Sequence, residues 1–183
     1  MAYSTPLTAV ANATFTAAQF NASVRDNILE TPAAKATATG RMYISNGVNS
    51  IAERVPTIAR VTGGGQNTAS TSFTDLITVG PTVSTLATGT SAIFAVSAFC
   101  QNSGIGGGSY MGCAVSGATT IAADVTRALR IMSGAAAENS KQSYIGMFFA
   151  TLTAGSNTFQ AKYSTVGAGT STFDERELLV IPL

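Results

Sequence analysis

Near the start of the chain, apolar Phe20, Val24 and Ile28 recur every four positions, the spacing of one face of an α-helix. Thr16 is placed to cap this helix, and Gln19 three residues later completes a capping box. Phe15 and Phe20 occupy the two positions of a hydrophobic staple. Asn21, Arg25 and Asp26 lie off the apolar stripe, and Pro32 disfavours helix at Thr31, so the pattern predicts a helix over about 17–30. A helix of that length is marginal in water on its own, so its stripe needs a partner. The next ten residues, "TPAAKATATG" (31–40), are small, aperiodic and contain proline, which reads as a linker. The stripe Phe15, Phe20, Val24 and Ile28 is then left without an evident partner in its own chain, and the expected role is attachment or self-association. The competing expectation is that the linker folds back and the helix covers one end of the rest of the chain.

After Gly40 the period shortens to two. "RMYISNGVNSIAERV" gives two short extended runs around Asn46-Gly47, a dipeptide suited to a tight hairpin turn. Ala59–Val61 is a further short run. Phe73, Asp75 and Ile77 alternate with Thr74, Leu76 and Thr78 up to Gly80-Pro81. "SAIFAVSAFCQ" (91–101) is apolar on both faces, as a central or intersubunit strand would be. "SYMGCAVSG" (109–117) is expected to return from it as a hairpin across a glycine-rich tip. "VTRALRIM" (125–132) is a strand candidate in which helix stays open. "KQSYIGMFFATL" (141–152), "TFQAKYSTV" (158–166) and about 177–181 complete the set. Phe159, Ala161 and Tyr163 should share one face.

Seven or eight strands with turns at short intervals predict a mainly β chain: an antiparallel β-sandwich, jelly-roll-like, preceded by the helix and a linker and hairpin arm. The expected division is 1–56 for the N-terminal region (helix about 17–30, linker 31–40, hairpin about 41–54) and 57–183 for the sandwich.

Composition changes this picture in one respect. Only 10% of the 183 residues are charged, against about 25% in a typical soluble domain. With 45% apolar residues and 18 glycines, the composition is not that of a disordered chain. It suits a chain whose surface is hydroxylic rather than ionic or, fitting the low charge better, one that hides surface against copies of itself or other proteins. The net charge is +1 and the basic residues are scattered, so no nucleic-acid surface is expected. No apolar run is long enough to span a membrane. "MAYSTPLTAV" lacks the pattern of a secretory signal, giving an expectation of cytoplasmic synthesis and folding.

Candidate chemistry is thin. The chain has no histidine, which removes His-based nucleophile systems and His-containing metal sites. The glycine clusters 63–65 and 104–108 lack the Lys-Ser/Thr of a phosphate cradle and read as mobile loops. Asp174, Glu175 and Glu177 in "FDERE" are the one acidic cluster, with Arg176 among them as a ready counter-ion; Asp75 and Asp124 stand apart. A solvated strand entrance accounts for the cluster better than a two-carboxylate hydrolase. Cys100 and Cys113 fall on opposite faces in the expected hairpin register, which predicts two free buried thiols. Tyr110, Tyr144 and Tyr163 are expected in the core or an intersubunit contact, and the absence of tryptophan gives no positive sign of a sugar-binding face. No enzyme, cofactor or metal is expected.

"FTAAQFNASVRDNI", a small-residue linker and "GRMYISNGVNSIAER" together resemble the N-terminal region of small tailed-phage virion proteins. "TLTAGSNTFQAKYSTVGAGTSTFDERELLVIPL" is similar to the last strands of phage jelly-roll domains, although Glu175-Arg176-Glu177 is more acidic than that pattern. The resemblance covers roughly the first 55 and last 40 residues. It implies a structural part of a phage particle assembled in the host cytoplasm, commonly a homotrimer, docked on tail or capsid proteins by its N-terminus with the β domain outward. The leading expectation is a minor tail or fibre-like protein. A capsid decoration protein is the alternative, and a carbohydrate-binding module for the host surface a further one.

Overall fold

The computed structural model describes residues 7, 8, 10–132 and 142–183; Lys141, the expected start of one strand, lies outside them. Contacts divide the chain into two compact units, Met1–Val55 and Pro56–Leu183.

In the first unit the helical run begins where the capping pattern places it. Gln19 N donates to Thr16 Oγ1 at 3.2 Å, and Thr16 N donates to Gln19 Oε1 at 2.9 Å. The rings of Phe15 and Phe20 meet edge-on at 6.0 Å. The run is not uniform: α1 (Ala17–Phe20) passes through a π-helical turn (Asn21–Arg25) into α2 (Asp26–Leu29). Its buried positions are polar, Asn27 and Glu30; Asn27 Nδ2 donates to the carbonyl of Ser23 at 3.1 Å.

The expected linker is partly structured. Pro32–Lys35 forms a short helix, α3, with proline in its first turn, where a missing N–H costs nothing. Lys35 pairs with Glu30 at 2.8 Å. Beyond α3, Thr37 is tied to Glu53 by its amide and hydroxyl, at 3.2 and 2.7 Å. The hairpin β1 (Met42–Gly47) and β2 (Ser50–Arg54) forms as expected, but reverses two residues later. The turn is Val48-Asn49, with Asn49 at φ 54°. A register irregularity between Ser45 and Gly47 takes up the extra residue, with Gly47 at φ 137°; only glycine adopts that conformation without strain.

The second unit is an antiparallel jelly-roll sandwich. Its strands are β3 (Thr57–Val61), β4 (Gln66–Thr68), β5 (Thr82–Thr88), β6 (Ser91–Asn102), β7 (Gly108–Gly117), β8 (Ala128–Met132), β9 (Gln142–Thr151), β10 (Gly155–Val166) and β11 (Ser171–Pro182). One sheet has the order β5-β10-β7-β8; the other has β3-β11-β6-β9, with β4 also on β11. Sequential strands thus alternate between sheets along much of the chain, as in a double-sheet jelly roll.

Three expectations about individual strands are corrected. β6 and β7 do not pair as a hairpin; β6 pairs with β11 and β9, and β7 with β10 and β8. The connection crosses from sheet to sheet, pinned by Asn102, whose Nδ2 lies within 3.1 Å of the Gly108 carbonyl, Thr165 Oγ1 and Ser171 Oγ. The glycine cluster in that connection is packed: a Cβ on Gly104 or Gly107 would overlap the carbonyl oxygen of Ala168. Residues 73–80 form no strand; their β-bridge to β10 is Thr74–Tyr163, with Leu76 buried and Ile77 exposed. Residues 125–127 are a 3₁₀ turn capped by Asp124, and strand begins only at Ala128.

The core lies between the inner faces of the two sheets. Phe94 contacts Phe148 at 5.5 Å in its own sheet and Phe159 at 6.4 Å across the gap; Tyr163 meets Phe173 at 4.8 Å. β11 carries a bulge between Asp174 and Glu177, with Glu175 at φ 45°. Strict alternation from Phe173 would turn Glu175 and Glu177 inward and Leu178 outward. The bulge re-phases the strand, so Arg176, Leu178 and Val180 point into the core, each 1% exposed or less.

Arg176 is therefore not the counter-ion of its acidic neighbours. Its Nη1 donates to the carbonyls of Thr78 and Gly80 at 3.1 and 3.3 Å, and its guanidinium lies 5.4 Å from the ring centroid of Tyr163. Tyr163 Oη donates to the same Gly80 carbonyl at 2.7 Å. Arg176 thus fastens the strandless segment 73–80 onto the core. Arg176→Ala removes both bonds to this segment and empties a fully buried site in the core, and is expected to lower the unfolding free energy by about 2–4 kcal/mol; urea denaturation followed by circular dichroism measures this.

Candidate functional site

The residues singled out for attachment are all exposed. Phe15 is 53% exposed, Phe20 48%, Val24 37% and Ile28 57%, with Leu29 at 51% beside them. The helix therefore presents its apolar stripe to solvent and buries polar Asn27. Phe15 and Val24, together with Leu7, Val10 and Ala13, line an open apolar groove of about 420 Å³. Phe20 borders it through its ring contact with Phe15, whereas Ile28 stands outside it. Leu7 and Val10 were not among the residues expected at this site. Their only signal in the sequence is a three-residue spacing ahead of the capping box, too short to define a helix face.

The acidic candidates do not converge. Glu177 pairs with Arg60 on the neighbouring strand β3. Glu175 Oε1 accepts from the amide of Gly63 at 3.1 Å, and Asp174 Oδ1 accepts from the amide of Glu175 at 3.0 Å. Asp75 is held by Lys162 at 2.8 Å. Among the described residues, no group of three His, Cys, Asp or Glu side chains could hold a metal ion. Nor is any helix of the described residues long and apolar enough to cross a membrane.

Cys100 and Cys113 are free and buried in the same core. Burial pushes both thiols up to about 12, which leaves them protonated and unreactive at neutral pH. Tyr163 is buried with its hydroxyl bonded, Tyr110 is half-buried with its hydroxyl 3.8 Å from Met132 Sδ, and Tyr144 is 38% exposed.

No family model matches the chain, and no curated protein matches it. Among solved structures it is similar to one described as the structure of Eiger TNF from S. frugiperda, with 12% identity and a TM-score of 0.43, over 70% of this chain and 92% of that one. That likeness adds nothing to the jelly-roll order read from the strands.

Asp124 gives a measurable electrostatic marker for the sandwich. Hydrogen bonds from Thr126 and then Arg127 hold its carboxyl at about 2, below its ordinary 3.8. A carboxylate with a depressed value stabilises the fold above its unfolded value, and that contribution is lost as pH falls through the folded one. Stability should decline between pH 3.8 and about 2, and Asp124→Asn should flatten that part of the profile, as read by thermal unfolding at stepped pH.

Proposed function

We propose that this chain is a non-enzymatic structural component of a phage virion, docked through its N-terminal unit and displaying the jelly roll outward, and that it serves as a minor tail or fibre-like protein. The observation that carries the reading is the exposed apolar stripe Phe15, Phe20, Val24 and Ile28 on a helix with a complete capping box. A cap fixes where a helix starts and so fixes the direction its stripe faces. Large apolar residues held in one direction in water form a contact surface that needs a partner. Among the described residues there is little competing chemistry: the acidic candidates are used in pairs and strand contacts, and the thiols are shut away. The low charge and the N-terminal motif that resembles phage virion proteins point to a partner within a particle.

Phe20→Asp with Val24→Asp tests the reading in cells producing particles. The double variant should keep the β circular-dichroism spectrum and fall at least tenfold in its recovery with purified particles. Undiminished recovery contradicts docking through the stripe. Copy number tests the tail assignment: a few oligomers per particle supports it, whereas hundreds of copies assign the chain to the head shell.

A further inference from the structure

The outer face of the sheet β3-β11-β6-β9 carries a second apolar surface, independent of the helix. Register aligns its outward residues in rows. Ile181, Ile93 and Phe149 form one row. Ile58, Leu179, Ala95 and Met147 form the next. Arg60, Glu177, Ser97 and Ile145 form a third, and Phe99 stands one step beyond. Ile58 is 58% exposed, Phe99 41%, Ile145 69%, Met147 65% and Phe149 58%.

We propose that this face packs against the same face of a second copy of the chain. Three observations select that occupant. The first is area. At about 200 Å² for a large side chain, these five residues present on the order of 600 Å² of apolar surface, the upper end of what a monomer exposes. A stable interface takes roughly 800 Å² from each partner. Half-buried Ile93, Leu179 and Ile181 lie in the same rows and extend the patch toward that figure.

The second is charge. Bringing identical faces together juxtaposes identical charges, which opposes self-association unless the charges are already neutralised within the face. Arg60 and Glu177 neutralise each other side by side in one row, and Ser97 Oγ donates to Glu177 Oε2 at 3.5 Å. A lipid surface would call for unpaired cations around the apolar patch, and the one cation in these rows is already spent on Glu177.

The third is the edge. β9 ends the sheet order and has no charged residue over 142–151. Edge strands facing water are ordinarily guarded against copies by charge, lysine above all. A strand whose exposed large side chains are Tyr144, Ile145, Met147 and Phe149, beside the small polar Ser143 and Thr151, is suited to being covered.

Sedimentation velocity of the full chain tests this. The parent should sediment as an oligomer, and Met147→Lys with Phe149→Lys should fall to the mass of one 18.6 kDa chain while keeping its β spectrum. Phe20→Asp with Val24→Asp, on the helix, should leave the oligomer intact, which separates this surface from the docking stripe. A monomeric parent overturns the proposal. So does a folded sheet variant that remains oligomeric, or dissociation caused by the helix variant alone. Should the sheet variant fail to fold, Ser97→Cys replaces it: a bismaleimide should link copies through this face, with Cys100 and Cys113 too buried to react. Absence of that link overturns the proposal equally.

Discussion

Everything in the sandwich depends on two strands adjacent in sequence, β10 and β11, keeping their inward residues in phase across the gap between sheets. β10 runs between β5 and β7, and β11 between β3 and β6. Phe159, Ala161 and Tyr163 from one and Phe173, Leu178 and Val180 from the other are fully buried. A slip of one residue in either would exchange its buried and exposed sets. The bulge at Asp174–Glu177 makes that exchange once, on purpose: it carries Leu178 and Val180 inward and leaves Leu179 and Ile181 on the outer face. The same irregularity that completes the core therefore completes the apolar rows on the opposite side.

Arg176 is where this constraint has a chemical cost. The bulge places a guanidinium against the ring of Tyr163 with no ion-pair partner among the described residues, and burial of an unpaired charge is expensive. The cost is offset in part by backbone carbonyls from the segment 73–80 and by the face of Tyr163, while Nη2 is buried without a hydrogen-bond partner among the described residues. A segment that adds no strand to either sheet thereby becomes part of the fold.

The regular parts of this architecture were readable in the sequence, and the irregular parts were not. Capping residues gave the start of the helix because Thr16 and Gln19 bond locally, without help from the rest of the chain. Strict alternation gave the inward face of β10. β5 is not legible from alternation because its buried apolar residues, Val83 and Leu86, stand three apart across a bulge at Thr85 with φ 49°. Alternation puts Arg176 at the surface as a counter-ion because a period of two does not register an inserted residue. Neighbouring strands joined by glycines usually form a hairpin, which is why the sequence suggests pairing β6 with β7; the jelly roll sends them to different sheets. At the candidate site, the four stripe residues were legible from spacing, whereas Leu7 and Val10 lie in a stretch with no period.

In the proposed role the two apolar surfaces would divide the work, the one on the N-terminal unit serving attachment and the one on the sandwich association between copies. Each lies on an element whose direction is fixed by local geometry, the capping box in one case and the sheet register in the other. The central claim is that the helix stripe is open in the free chain and covered on the particle. Amide hydrogen exchange over residues 17–29, compared between the free full-length chain and the same chain on purified particles, tests it most directly. Fast exchange in the free chain and strong protection on the particle is the predicted result; equal exchange in the two states would contradict the account.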